Sequence, residues 1–250
     1  MARLTGDRFS AAALLLRTKT NPEGVHTIRI DGRPVQFRGK DEQALREVFV
    51  DREYAFLDDS LAAAAEPSVL DVGAHIGTFA IWCLNANPAA RILSVEPDPE
   101  SIILTHANAL TRVRAGADWT VRHAAAGARD GDVLRLSVDG PSMSHRVDPS
   151  GAVEVESVSL TTLLDQLAPD GGSIDFVKVD IEGSEEDVLC ANPAALDRVG
   201  VLVIELHPTL CDTARVDALL RARFDSVEAI GGRQSTKPLL LCQRTAVTAP

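Results

Sequence analysis

The chain has 250 residues, 45% of them hydrophobic, and a formal net charge of -11. That length suits one sizeable α/β domain and supplies apolar material for a full core. The acidic balance argues against a nucleic-acid backbone or an anionic membrane surface as the main partner, because both attract patches of Lys and Arg.

The four cysteines, at positions 83, 190, 211 and 242, form no CxxC pair and have no histidine at metal-finger spacing. They are too sparse for a disulfide framework. The apolar run Ala11 to Leu16 is too short for a membrane span and reads as part of an N-terminal helix. A cytoplasmic protein is expected, and the amphipathic N-terminal segment could support a homodimer.

In chain order, His26 to Ile30 and Val35 to Phe37 alternate in polarity around Asp31-Gly32, the pattern of a β-hairpin. Asp41 to Ala65 then shows helical spacing through Leu45, Val48, Phe49, Phe56, Leu57 and Leu61. Residues 1–52 are therefore expected to form an extension packed on a core of residues 53–250.

From Ser68 the pattern is strand, helix, strand, helix. Strands are expected at Val69 to Val72, Arg91 to Val95, Thr120 to His123, Ile174 to Val179 and Gly200 to Leu206. Helices are expected at Thr78 to Asn85, Pro99 to Thr111, Glu185 to Cys190 and Asp212 to Arg223. Two last strands lie near Ser226 to Ile230 and Leu239 to Cys242. This alternation implies an α/β, Rossmann-like fold, with a mainly parallel seven-stranded sheet covered by helices on both faces. An insertion over about 130–160 differs: Asp132 to Val138 and Val153 to Leu160 read as an antiparallel pair, of the sort that covers a site or extends a sheet.

Three groups of residues carry chemistry. In Val69-Leu70-Asp71-Val72-Gly73-Ala74-His75-Ile76-Gly77 a buried strand runs into a Gly-rich turn and then a helix opening at Thr78. Gly73 permits the turn and a close backbone approach, and Gly77 permits close helix-to-sheet packing. The next strand ends in Glu96-Pro97, where a carboxylate is placed to accept hydrogen bonds from both ribose hydroxyls of an adenosine cofactor. The second glycine of a dinucleotide fingerprint is missing, since His75 fills it. Asp71 beside the turn would repel a pyrophosphate and suit the ammonium and sulfonium end of S-adenosylmethionine.

The fourth strand ends in Lys178-Val179-Asp180-Ile181-Glu182-Gly183-Ser184-Glu185. Ser184 with the acids after it reads as a helix start, whereas burial of Asp180 and Glu182 suggests function. The fifth ends in Glu205-Leu206-His207, whose period of two lets Glu205 and His207 face one side. Asp180, Glu205 and His207 are the candidate catalytic residues, with His207 or Asp180 as the base. These three could also gather a divalent cation, but without diagnostic spacing no metal is assigned. Tyr54, His145 and Glu182 are weaker candidates for contact with a substrate, while His106 and His123 read as structural.

The runs VLDVGAHIGTFA, SVEPDP, FVKVDIEGSEEDVL and VIELHP, in this order, resemble the FkbM-type methyltransferase family over about Glu53 to Pro208. The Lys-x-Asp-x-Glu-Gly-x-Glu run at Lys178 to Glu185 is the most specific part. The resemblance implies a class I fold and methyl transfer from S-adenosylmethionine, usually to a hydroxyl oxygen of a small molecule such as a sugar, lipid or polyketide. By position, Asp71, Gly73 and Gly77 would line the amino acid end of the cofactor, Glu96 the ribose, Ala125 the adenine, and Asp180 the transferred methyl. His75 stands where the family often has Asn. Two other readings stay open on the residues alone: a nicotinamide-dependent oxidoreductase on the same fold, and a non-catalytic cofactor-binding scaffold.

Overall fold

A computed structural model describes residues 8–231 and 236–244. The chain enters through helix α1 (Arg8–Thr20) and a hairpin of β1 (Val25–Ile30) and β2 (Arg33–Arg38), in full antiparallel register. Asp31 and Gly32 both have positive φ, as a two-residue Asp-Gly hairpin turn requires.

The expected helix from Asp41 to Ala65 is instead a series of short pieces. A tight turn at Gly39–Asp41 leads into α2 (Glu42–Leu45), a π turn (Arg46–Val50), a turn at Ala55–Leu57 and α3 (Asp58–Ala63). Arg52, with φ of 58°, breaks the pattern. Burial explains the break. One straight helix could not bury both Val48 and Tyr54 while Asp51 and Arg52 stay in solvent, and in the structure Val48 and Tyr54 are buried and those two exposed.

The central sheet comprises β3 (Ser68–Val72), β4 (Arg91–Glu96), β5 (Asp118–His123), β10 (Ile174–Val179), β11 (Val199–Glu205), β12 (Ser226–Ile230) and β13 (Leu239–Gln243). Between β5 and β10 lie four shorter strands: β6 (Ala125–Gly127), β7 (Val133–Ser137), β8 (Arg146–Val147) and β9 (Val153–Ser159). Sheet order is β12-β13-β11-β10-β3-β4-β5, parallel from β11 to β5, with β13 antiparallel to both its neighbours.

Successive strand residues point to opposite faces, and both faces are buried. Leu70, Leu93, Val177 and Ile204 face one cluster, with α6 (Leu160–Leu167), α7 (Glu185–Ala191) and α8 (Thr213–Arg223). Val69, Ile92, Phe176 and Val203 face the other, with α4 (Thr78–Ala86) and α5 (Pro99–Val113). Val35, Phe37, Leu45, Leu57 and Leu61 belong to that second cluster, so the N-terminal segment shares the core of the sheet.

The insertion holds the expected antiparallel β7–β9 pair, but within a four-stranded sheet of order β6-β9-β7-β8 in which β6 and β9 are parallel. The strand reading to Leu160 runs one residue too far. Ser159 accepts a bond from the Thr162 amide and starts α6, whose Leu160, Leu163, Leu164 and Leu167 form a buried helical stripe. Among the described residues, no helix is long and apolar enough to cross a membrane.

Candidate active site

Strand order reverses between β3 and β10: β4 and β5 lie to one side, β11 to the other. Open parallel sheets bind ligands at such a switch point, outside the carboxyl ends of the strands. A cleft lies there, about 970 Å³ when the space open to solvent is included. Taken across the sheet, its floor presents Glu96, Gly73, Asp180 and Glu205 at the ends of β4, β3, β10 and β11 in turn. The N-terminal pieces supply Val48, Glu53 and Tyr54 to its wall, and the insertion supplies Met143, His145 and Arg146.

Glu96 defines one end. Its carboxylate accepts the His75 amide at 2.6 Å and the Asp98 amide at 2.9 Å. Burial pushes it up to about 8, against those two bonds. A carboxylate lining a cleft, with no cation at contact distance among the described residues, is suited to accept paired hydroxyls. His75 takes a φ of 52°, a left-handed value that histidine and asparagine tolerate better than most residues. Its Nε2 lies 3.0 Å from the Ser142 hydroxyl, which gives its own proton to Asp41 at 2.6 Å. The imidazole is therefore the donor in that contact.

Asp41 in turn binds the Arg38 guanidinium through both oxygens, at 2.8 and 3.0 Å. Burial opposes its charge, but His75, Arg38 and Ser142 hold the carboxyl well below the usual range. Asp98 caps α5 through the Glu100 and Ser101 amides and lies 3.3 Å from His145 Nδ1. The insertion is thus tied down at Ser142, and His145 lies against Asp98 beside the Glu96 end.

Lys178 occupies the middle of the floor. Its ammonium donates to the Gly73 carbonyl at 2.7 Å and lies 3.5 Å from Asp180 and 3.7 Å from Asp71. Burial opposes its charge, and Asp180 and Asp71 hold its pKa above the ordinary value. At the far end Glu205 faces the cleft, pushed up to about 7 by burial and by Asp180. Glu53, opposite, is raised by burial and by Glu47 and Asp180.

A family model described as the FkbM methyltransferase domain matches residues 71–226. The chain belongs to the FkbM methyltransferase family. It is an S-adenosylmethionine-dependent methyltransferase. Among curated relatives, 31-O-demethyl-FK506 methyltransferase FkbM of Streptomyces tacrolimicus is 27% identical over 86% of this chain and 91% of its own. Hexuronic acid methyltransferase AglP of Haloferax volcanii is 30% identical over 59% of each chain. The N-terminal domain of EvdMO1, crystallised with SAH bound, shares the fold with a TM-score of 0.51 at 15% identity, over 94% of this chain and 97% of that one.

Against this FkbM framework, Gly73, His75, Thr78, Glu96, Pro97, Ala125, Asp180, Glu205, Glu182, Tyr54 and His145 all line the cleft. Three expected site residues do not. Asp71 is wholly buried beneath the turn, bonded by the Ser94 hydroxyl and paired with Lys178, so the cation beside it is the protein's own. Gly77 lies off the cleft against Trp119, where a Cβ would sit 2.8 Å from the indole. His207 is 2% exposed and lies beyond the end of β11, not on its pleat. Its Nδ1 meets Glu185 at 2.8 Å. Burial opposes its charge, but Glu182 and Glu185 raise it to about 10, so in this arrangement the imidazole is protonated near neutrality and is no base.

Ser184 makes no side-chain cap; Glu185 instead receives the Gly183 amide and holds His207. Lys178, Glu53, Asp41 and Ser142 are the residues that sequence reasoning left without a role. Only Lys178 carried a signal, as a charge inside an apolar strand.

Proposed function

We propose that the protein transfers the methyl group to a hydroxyl oxygen of a small polyhydroxylated acceptor, a sugar or a hydroxylated polyketide. The observation that carries this is the continuity of one cleft, with a single acceptor carboxylate at the Glu96 end and the carboxylates of Glu53, Asp180, Glu182 and Glu205 at the other. Ionised carboxylates accept hydrogen bonds only, so they favour partners rich in hydrogen-bond donors, polyhydroxylated molecules among them. The hydroxylated or sugar-acid substrates named for the two curated relatives agree with that choice.

In this reading Glu96 binds the ribose hydroxyls, and Pro97 and Ala125 form the adenine wall with His75 beside them. Thr78 and the Gly73 turn border the amino acid portion, while Asp71 acts at one remove by fixing Lys178. When bound, S-adenosylmethionine supplies a methyl activated on a sulfonium for in-line displacement. The protein's share is alignment and exclusion of water, followed by acceptance of the hydroxyl proton at the Asp180 and Glu205 carboxylates. Tyr54, set edge-on to Phe79 at 4.8 Å, gives the acceptor end a rigid wall.

Labelled methyl transfer to a panel of glycosides and hydroxylated polyketides, compared with amine acceptors, tests the assignment. Transfer to hydroxyls is expected, with Glu205→Gln lowering kcat by about 10²- to 10⁴-fold while S-adenosylhomocysteine binding persists. Transfer to amines alone would sink it.

A further inference from the structure

We propose that Asp180, Glu205 and His207 bind a hard divalent cation, of the Mg²⁺ or Mn²⁺ kind, at the acceptor end of the cleft. The proposal rests on the reading of that end as the place of transfer. One ligand atom from each residue can be chosen so that all three lie within 4.8 Å of one another. Asp180 and Glu205 stand at the ends of the adjacent strands β10 and β11 and line the cleft.

The second observation is the imidazole. His207 is 2% exposed, and its Nε2 has no hydrogen-bond partner. The nitrogen points among carboxylate oxygens, 3.2 Å from Glu182, 3.6 Å from Glu205 and 4.0 Å from Asp180, without bonding geometry to any of them. Its other nitrogen meets Glu185 Oε1 at 2.8 Å, and Glu185 is fixed from behind by the Gly183 amide and the Cys211 thiol. A carboxylate that accepts the Nδ1–H and aims Nε2 outward is the arrangement that supports metal-ligating histidines, and a cation bound there displaces the Nε2 proton that the imidazole carries in its absence. Asp180 Oδ1 is likewise without a hydrogen-bond partner.

Glu182 binds Lys237 through Oε1 at 2.8 Å and leaves Oε2 3.2 Å from Nε2 without bonding geometry. Asp180 and Glu205 are the carboxylates whose oxygens converge with Nε2 on one point. Two carboxylates with one imidazole suit hard or borderline divalent metals, and three protein ligands leave positions open toward the cleft. An acceptor oxygen in such a position has a lowered O–H pKa. The O–C bond then forms as the S–C bond breaks, and with Asp180 and Glu205 on the ion the proton passes to an uncoordinated cleft carboxylate such as Glu53 in their place; no group changes oxidation state.

The test titrates chelator-stripped protein with Mn²⁺, reading free Mn²⁺ by electron paramagnetic resonance, and S-adenosylhomocysteine by calorimetry on the same samples. One Mn²⁺ per chain is expected, competed by Mg²⁺. Glu185→Gln should weaken it about 10- to 100-fold, and Glu205→Gln at least as much. The exposed control Glu154→Gln should bind as the wild type does, and S-adenosylhomocysteine binding by Glu205→Gln would show its fold intact. No Mn²⁺ binding by wild-type protein that does bind S-adenosylhomocysteine overturns the cation site and leaves the methyltransferase reading standing. Equal Mn²⁺ affinity in all variants also overturns it. Mn²⁺ binding that follows this pattern in protein that fails to bind S-adenosylhomocysteine upholds the cation site and overturns the assignment of the Glu96 end.

Discussion

Glu96 combines burial, an acceptor's geometry and a raised pKa, and its behaviour with pH has a definite sign. With no ligand bound it favours the neutral acid, so its contribution to stability is present below 4.5 and lost as pH rises toward about 8. Ribose hydroxyls donate to the ionised form and favour it. Affinity for S-adenosylhomocysteine is therefore expected to rise severalfold from pH 6.5 to 8.5 and then level off, with proton release on binding below pH 8. Calorimetry in buffers of different ionisation enthalpy reads both, and an affinity flat across that range contradicts the role. Glu96 was legible because an acid at the tip of the second strand has one place to go. Asp71 and His207 were not placed correctly, because a sequence gives position along a strand but not depth. Both lie a layer beneath the residues that face the cleft, Asp71 through Lys178 and His207 through Glu182 and Glu205.

Among the elements, the turn after β3 is the most constrained. Gly73 has φ of 81°, and a Cβ there would run into the Asp180 backbone carbonyl. Gly73→Ala is thus expected to lose cofactor binding and a few kcal/mol of stability, about 1–3 from the backbone alone. Circular dichroism melts and calorimetry check it, and an unchanged melting temperature would count against close contact of β3 and β10. The link from β2 to the insertion makes a second case. Asp41→Ala removes two bonds from the buried Arg38 guanidinium but leaves those to Glu100 and Ser101, so the cost is expected to fall below the roughly 3–5 kcal/mol of an uncompensated buried charge. The substitution also frees Ser142 and His75, so faster amide exchange over 141–147 is expected. Exchange confined to wild-type rates would show that the insertion is held by its own sheet instead. The core strands and α5 were readable from the alternation of strand and helix patterns. The pieces between 39 and 63 were not, since their bends serve contacts with the cleft wall that periodicity does not encode. α6 was readable in principle from Leu160, Leu163, Leu164 and Leu167, but the preceding alternating strand concealed its start.

Across the whole molecule, a sheet buried on both faces fixes the strand ends that make the cleft, and the N-terminal segment and the insertion close its sides. Alternation of strand and helix was enough to give this architecture, because few topologies bury such a sheet with right-handed connections. Long-range ties such as Asp41 to Ser142 were beyond it, as nothing local records a partner 101 residues away. Everything proposed for the cleft depends on the Glu96 end holding the methyl donor. The most direct measurement is calorimetric titration with S-adenosylhomocysteine, and separately with NAD, of the wild type and Glu96→Ala. Binding of S-adenosylhomocysteine alone is expected, weakened by about 10- to 100-fold in the variant, as loss of hydrogen bonds to a charged group implies. Binding of NAD alone, or equal affinity in both proteins, would contradict it.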